Sequence, residues 1–154
     1  MTDYDEIKFV VRNRKARRDY EISSTLEAGI ELKGCEVKSI RAGKVNISDA
    51  YATISKGELI LKNLHISPYE MDTTTGYDPL RVRRLLVHRR EIRKLSIQIE
   101  QRGMTLIPLS IYFKGKVAKI ELALGVGRKK FDKRQALAKA EADRRMRKAI
   151  RQDY

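Results

Sequence analysis

The chain predicts a mainly β fold, a small antiparallel β-barrel with two or three short helices and a C-terminal helical tail. Three observations point there. Apolar residues alternate with polar ones in several short runs bounded by turn residues. Helical spacing is confined to brief stretches. The 154 residues suffice for one core, with roughly two thirds of the unfolded surface buried.

Taken in order, Tyr20 to Ser24 reads as extended, and Gly34 to Arg41 reads as a short helix that puts Val37 and Ile40 on one side. Asp49 to Ile54, the turn Ser55-Lys56-Gly57 and the run Glu58 to Ile66 form a hairpin pattern. In its second arm Leu59 and Leu61 share one phase and Leu64 and Ile66 the other, so a β-bulge is expected near Lys62-Asn63. Residues 67–80 carry Thr, Pro and Gly and read as a loop. Val82 to Val87 is a strand candidate. Ile92, Leu95 and Ile99 then recur at helical spacing as far as Gly103, a suitable residue to follow a helix C-terminus. Arg89, Arg90, Arg93, Lys94 and Arg102 occupy the other faces of that helix. Ile107, Leu109, Ile111 and Phe113 alternate, Lys114-Gly115-Lys116 turns, and Ile120, Leu122 and Leu124 alternate again, giving a second hairpin. Pro108 lacks a ladder donor, which assigns its strand to an edge or its amide position to an unpaired side. Five to six strands and two or three helices in about 125 residues suit the oligonucleotide-binding type of barrel.

The last segment behaves differently. Gly125-Val126-Gly127 interrupts the last strand, and Asp132 with Gln135 forms a capping signal for a helix from Lys133. Alanines give that helix propensity, but Leu137, Met146 and Ile150 are too sparse to anchor it. The expected organisation is therefore a barrel over 1–124 and a basic tail over 125–154, disordered when free and helical on a polyanion.

Charge indicates the partner. The net charge is +14, which calls for nucleic acid or an anionic membrane. Residues 125–154 hold eleven Lys and Arg against four Asp and Glu, a surplus of seven and half of the total. Residues 78–103 hold eight against three, whereas 21–77 hold six against eight. No run approaches a spanning helix and the first residues lack a signal-peptide pattern, so a cytoplasmic protein with no membrane partner is expected. Cys35 is the only cysteine and is expected as a small buried hydrophobe.

Catalytic patterns are missing. His65 and His88 are the two histidines. The first reads as a partly buried strand residue, and the second stands at a strand-to-helix junction, suited to a polar contact. There is no H-E-x-x-H pair, no Walker loop and no complete G-x-G-x-x-G. No metal, no cofactor and no catalytic residue is expected, and the chain reads as a non-enzyme. The parts for RNA are better supplied. Asn13 and Tyr20 stand beside Arg12, Arg14, Lys15, Arg17 and Arg18, and Phe131 lies in the otherwise charged run Arg128 to Arg134. Basic groups interleaved with stacking or hydrogen-bonding groups suit RNA.

Several ordered motifs resemble one family. They are Asn13-Arg14-Lys15-Ala16-Arg17, the run Leu26 to Gly34, the run Glu36 to Lys44, and Asn46-Ile47-Ser48-Asp49. Arg84-Leu85-Leu86, Leu109-Ser110-Ile111-Tyr112 and Lys129-Lys130-Phe131-Asp132-Lys133-Arg134 follow. Over nearly its whole length the chain is similar to the SsrA-binding protein family, also called small protein B, which partners transfer-messenger RNA in bacterial ribosome rescue (trans-translation). The resemblance implies a barrel that holds the tRNA-like domain of that RNA. It also implies a tail that enters the decoding centre and mRNA path of the small ribosomal subunit.

Residues implicated in RNA binding in the family fall here on Asn13, Glu27, Leu86 and His88, with Arg14, Lys15 and Arg17 beside the first. The ribosome-binding tail falls on Gly127, Arg128, Lys129, Lys130, Phe131, Asp132, Lys133 and Arg134. His88 replaces an asparagine of the family pattern, and imidazole does not reproduce a carboxamide's paired donor and acceptor. Phe131 stands where many relatives have His or Tyr, so stacking survives and hydrogen bonding does not. Glu27 is open to three readings, as an acceptor from base amino groups, as an orienter of a neighbouring arginine, or as a structural residue. A structural ribosomal protein or general RNA chaperone, and a nuclease, are the competing readings of the whole chain.

Overall fold

The computed structural model describes residues 6–69, 76–128, 141–142 and 144–146. Its strands are β1 (Ile7–Arg12), β2 (Tyr20–Ile30), β3 (Val45–Asn46), β4 (Tyr51–Ser55), β5 (Glu58–Lys62), β6 (His65–Ile66), β7 (Arg83–Leu86), β8 (Thr105–Lys114) and β9 (Val117–Gly127). The helices are α1 (Ala16–Asp19), α2 (Gly34–Arg41) and α3 (Arg89–Arg102). Seven strands form one sheet in the order β1-β8-β4-β5-β7-β2-β9, and the further pairing of β8 with β9 closes it into a barrel with β1 added outside. Every pairing is antiparallel. The expected barrel architecture is therefore present.

Alternation explains which side chains fill it. Ile120, Leu122 and Leu124 of β9, Leu59 and Leu61 of β5, and Leu106 and Ile111 of β8 are buried in one cluster, which Ile40 of α2 and Leu95 of α3 join. Burying each such side chain contributes about 1.5–3 kcal/mol. Helix α3 runs to Arg102 and Gly103 adopts φ 62°, the left-handed conformation that glycine reaches without strain. A smaller cluster, Ala16, Ile107, Leu109 and Ala123 with Tyr20 and Ile22 packed on it, lies beneath α1.

Four expectations need correction, and of the two readings of Pro108 the edge strand is ruled out. The phase slip at Lys62-Asn63 is not a bulge: β5 ends at Lys62, Asn63 takes φ 61°, and the chain leaves the sheet to pair β6 with β3. Gly125-Val126-Gly127 does not interrupt the last strand. β9 continues against β2 with Gly125 opposite Ile22 and Gly127 opposite Tyr20, and a Cβ at Gly125 would lie 2.6 Å from the Glu21 carbonyl oxygen. Glycine there permits a close approach instead of ending the strand. His65 is a strand residue but exposed, while Ile66 beside it takes the buried phase. Cys35 is only half-buried. Pro108 is not on an edge, since β8 pairs with β9, β4 and β1. It adjoins a register shift between Pro108 and Ser110, where a missing donor is tolerated.

Lys129, Lys130, Phe131, Asp132, Lys133 and Arg134, the capping pair Asp132 and Gln135, and residues 70–75 of the loop lie outside the described residues. Residues 141–142 and 144–146 are helical and exposed.

Candidate nucleic-acid interface

The outer face of β8, β9, β2 and β7 is organised in cross-strand rows. Ser110 stands opposite Glu121, and Glu121 opposite Glu27. In the next row of the same phase, Tyr112 stands opposite Lys119, Lys119 opposite Gly29, and Gly29 opposite Leu86. Strand alternation puts these residues outward while Ala28, Ile30, Ile111 and Ile120 point into the core. The hydroxyl of Tyr112 donates to Glu27 Oε2, and this bond ties the two rows together. Burial comes first among the causes that push the Tyr112 phenol well above its ordinary range, followed by the Glu27 hydrogen bond and charge and the charge of Glu121. The phenol thus remains a donor and fixes the Glu27 carboxylate.

Leu86 reaches this face because Gly29 has no side chain. A Cβ at Gly29 would sit 3.3 Å from Leu86 Cβ, tighter than ordinary contact. Leu86 is nevertheless 48% exposed, a large apolar surface with a charged surround. Gly34 has no such neighbour, so its lack of a side chain relieves no crowding. Two residues on, His88 occupies the N-cap position of α3, with extended backbone and no side-chain capping bond. Its imidazole is exposed.

Between this face and α3 runs an open groove of about 1230 Å³. Glu27, Leu86 and His88, separated by up to 61 positions in the chain, all line it together with Arg89, Arg93 and Lys119. The sequence places Arg89 and Arg93 on a helix without a target, gives Tyr112 only as the end of a motif, and does not single out Lys119. Their contribution depends on strands that meet only in the closed barrel. Arg84 also lines the groove but is engaged by Glu31 at 3.1 Å and Glu58 at 3.3 Å.

Asn13 lies elsewhere on the barrel surface. Its Nδ2 donates to the Pro108 carbonyl at 3.1 Å and its backbone amide to the Leu109 carbonyl at 2.7 Å, which clamps the segment before α1 onto β8. Its Oδ1 is buried with no hydrogen-bond partner among the described residues. Arg14, Lys15 and Arg17 around it are exposed. The amide of Arg128 donates to the Asp19 carbonyl at 2.8 Å, so the chain beyond β9 departs beside this basic segment.

A buried ionic cluster supports the groove from behind. Glu36 of α2 and Arg83 of β7 are fully buried. Arg83 Nε donates to Glu36 Oε2 at 2.7 Å, Arg81 Nη2 lies 2.5 Å from Oε1, and the Lys33 amide donates to Oε1 at 2.8 Å. Arg83 also donates to the carbonyls of Leu64 and Pro79, and Tyr77 donates to Ile66. Burial opposes the charge on Glu36, but the bonds from Arg81, Lys33 and Arg83 outweigh it and hold the carboxyl below its ordinary range. The cluster pins the start of β7, and therefore Leu86 and His88. Its only trace in the sequence is Arg83 in the inward phase of Leu85.

Among the described residues no group of three His, Cys, Asp or Glu side chains is placed to hold a metal ion, and no helix is long and apolar enough to cross a membrane.

A family described as SmpB protein matches residues 10–152. The SsrA-binding protein of Halothermothrix orenii is 51% identical over 148 residues, covering 96% of each chain. That of Alkaliphilus oremlandii is 54% identical over 145 residues, covering 94% of each. A solved structure described as "tmRNA-SmpB: a journey to the center of the bacterial ribosome" is 48% identical with a TM-score of 0.66, and the match covers 82% of this chain and 93% of that one.

Proposed function

The chain belongs to the SmpB protein family, and we propose that it is an RNA-binding adaptor which holds the tRNA-like domain of transfer-messenger RNA and delivers it to stalled ribosomes. The observation that carries the reading is the convergence of Glu27, Leu86 and His88, from three different elements, on one groove with Arg89, Arg93 and Lys119. The arginines and the lysine supply charge for phosphates. Leu86 supplies an apolar surface for an unstacked base, and Glu27 accepts from base amino groups. Tyr112 holds that carboxylate in place. His88 stacks or donates at the mouth of the helix.

Asn13 acts here as the anchor of the basic segment with Arg14, Lys15 and Arg17. The ribosome-directed arm begins where β9 ends, with Gly127 and Arg128 as its root and residues 129–154, including 129–134, beyond. The protein works by binding in the cytoplasm, where its partners are, and not by catalysis.

Filter binding with the isolated tRNA-like domain tests the division of labour. Glu27→Ala is expected to lose affinity and removal of residues 129–154 to leave it within a few-fold. If the truncation abolished binding while Glu27→Ala bound normally, the roles of barrel and tail would be reversed.

A further inference from the structure

The same outer face continues beyond the groove onto β1. Phe9 stands opposite Tyr112 and Arg12 opposite Ser110, so both extend the rows that contain Lys119 and Glu27. In a regular strand, residues three apart point to opposite faces. A register shift between Phe9 and Val11 inserts Val10 as an extra residue and brings Arg12 onto the face of Phe9. The Arg12 guanidinium carbon then lies 4.2 Å from the Phe9 ring centroid, and the Tyr112 ring lies 5.4 Å from it at 50°. Phe9 is still 50% exposed.

Contact with Tyr112 and Arg12 stabilises β1 on β8, but it leaves half of the Phe9 ring exposed. Val10 and Val11 of β1 pack on the core, whereas Phe9 is a large aromatic held outward on a strand outside the closed ring. Pinned between Arg12 and Tyr112, the ring loses little side-chain freedom when something stacks on it. Cations adjoin it on the same face, with Arg12 beside it, Lys119 opposite Tyr112, and Lys114 opposite Ile7. An aromatic surface with an arginine plane and flanking lysines is complementary to a nucleobase and its phosphates.

We propose that Phe9, Arg12 and Tyr112 form a stacking platform for an unpaired base of the same RNA that occupies the groove, an inference that rests on the function proposed above. Continuity selects that RNA, because Tyr112 contacts both Phe9 and Glu27. The platform widens the interface from the groove to the far edge of the sheet.

The chain contains no tryptophan, so Phe9→Trp gives the full-length protein a single reporter at the platform. Binding of the tRNA-like domain is expected to quench its fluorescence strongly. In filter binding, Phe9→Ala and Phe9→Leu are expected to lose on the order of 5- to 150-fold in affinity, the range of base-aromatic stacking, and Phe9→Tyr to retain it. Circular dichroism and thermal melts check that each variant is folded, and the Trp reporter serves should Phe9→Ala fail to fold. Normal affinity in both ring-deleting variants, with no quench in Phe9→Trp, overturns the platform. If Glu27→Ala loses affinity in the same assay, the functional reading stands without it; if Glu27→Ala is also silent, that reading falls as well. A loss confined to small ribosomal subunits, with the tRNA-like domain bound normally, overturns the choice of RNA.

Discussion

At the scale of the residue, the proposed interface depends on how one tyrosine controls one carboxylate. Tyr112 donates to Glu27, and a carboxylate on an RNA-facing surface repels phosphate unless its direction is fixed. Tyr112→Phe is expected to weaken binding of the tRNA-like domain by a few-fold to tenfold, in line with about 0.5–1.5 kcal/mol for a hydrogen bond, and filter binding checks it. The phenol has a sign to test as well. Its folded pKa is raised, so its stabilising contribution is complete below the unfolded value near 10 and is lost as pH rises through the folded value. In a spectrophotometric tyrosine titration the parent should show late-ionising phenol absorbance from Tyr112 and Tyr77, both raised by burial, and Tyr112→Phe should remove part of it and leave the rest. Glu27 and Tyr112 are both readable as family motif residues, but their contact is not, because 85 positions separate them.

At the scale of the element, two devices hold β2 and β7 in place. One is the buried cluster that ties α2 to β7 through Glu36 and Arg83. Removing one partner leaves the other charge buried and unpaired, so Glu36→Gln is expected to destabilise by about 3–5 kcal/mol in urea titration at neutral pH. The Glu36 carboxyl lies below its ordinary range, so its stabilisation is present above the unfolded value near 4.3 and is lost as pH falls through the folded value. The variant should therefore differ most from the parent at neutral pH and converge on it in acid. The other device is the close approach of β9 to β2 at Gly125. Gly125→Ala brings a Cβ against the Glu21 carbonyl, and a loss of about 1–3 kcal/mol is expected, the usual cost of overpacking. Normal stability in this variant would show that β9 and β2 can separate there. Helix α2 is legible at both ends and α3 at its C-terminus, because periodicity and a terminal glycine are local signals. The end of β9 is not, because the same glycines that suggest an interruption are what let two strands meet.

At the scale of the whole molecule, charge and architecture are distributed differently. Glu27, Leu86 and His88 line one groove, the basic segment with Arg14, Lys15 and Arg17 lies outside it, and half of the net charge lies in residues 125–154. Affinity for RNA should fall steeply with salt, with a log-log slope of roughly −0.7 to −0.9 per phosphate contact. Removing residues 129–154 should change the slope measured on ribosomes more than that measured on the tRNA-like domain. Equal changes on both would place the tail on the same RNA as the barrel.

The sequence by itself determined the barrel class, the two hairpins, helices α2 and α3, the family motifs and the polyanionic character of the partner. Each is carried by neighbours in the chain, by periodicity or by composition. Only the tertiary structure decided that the sheet closes, that β1 joins it, that His65 faces solvent, and that Phe9 and Arg12 share a face with Glu27. These depend on bulges and on partners about a hundred positions apart. Alternation records that a residue changes sides at each step, but which side is outside, and what stands opposite, is fixed only when strands far apart in the chain come into register.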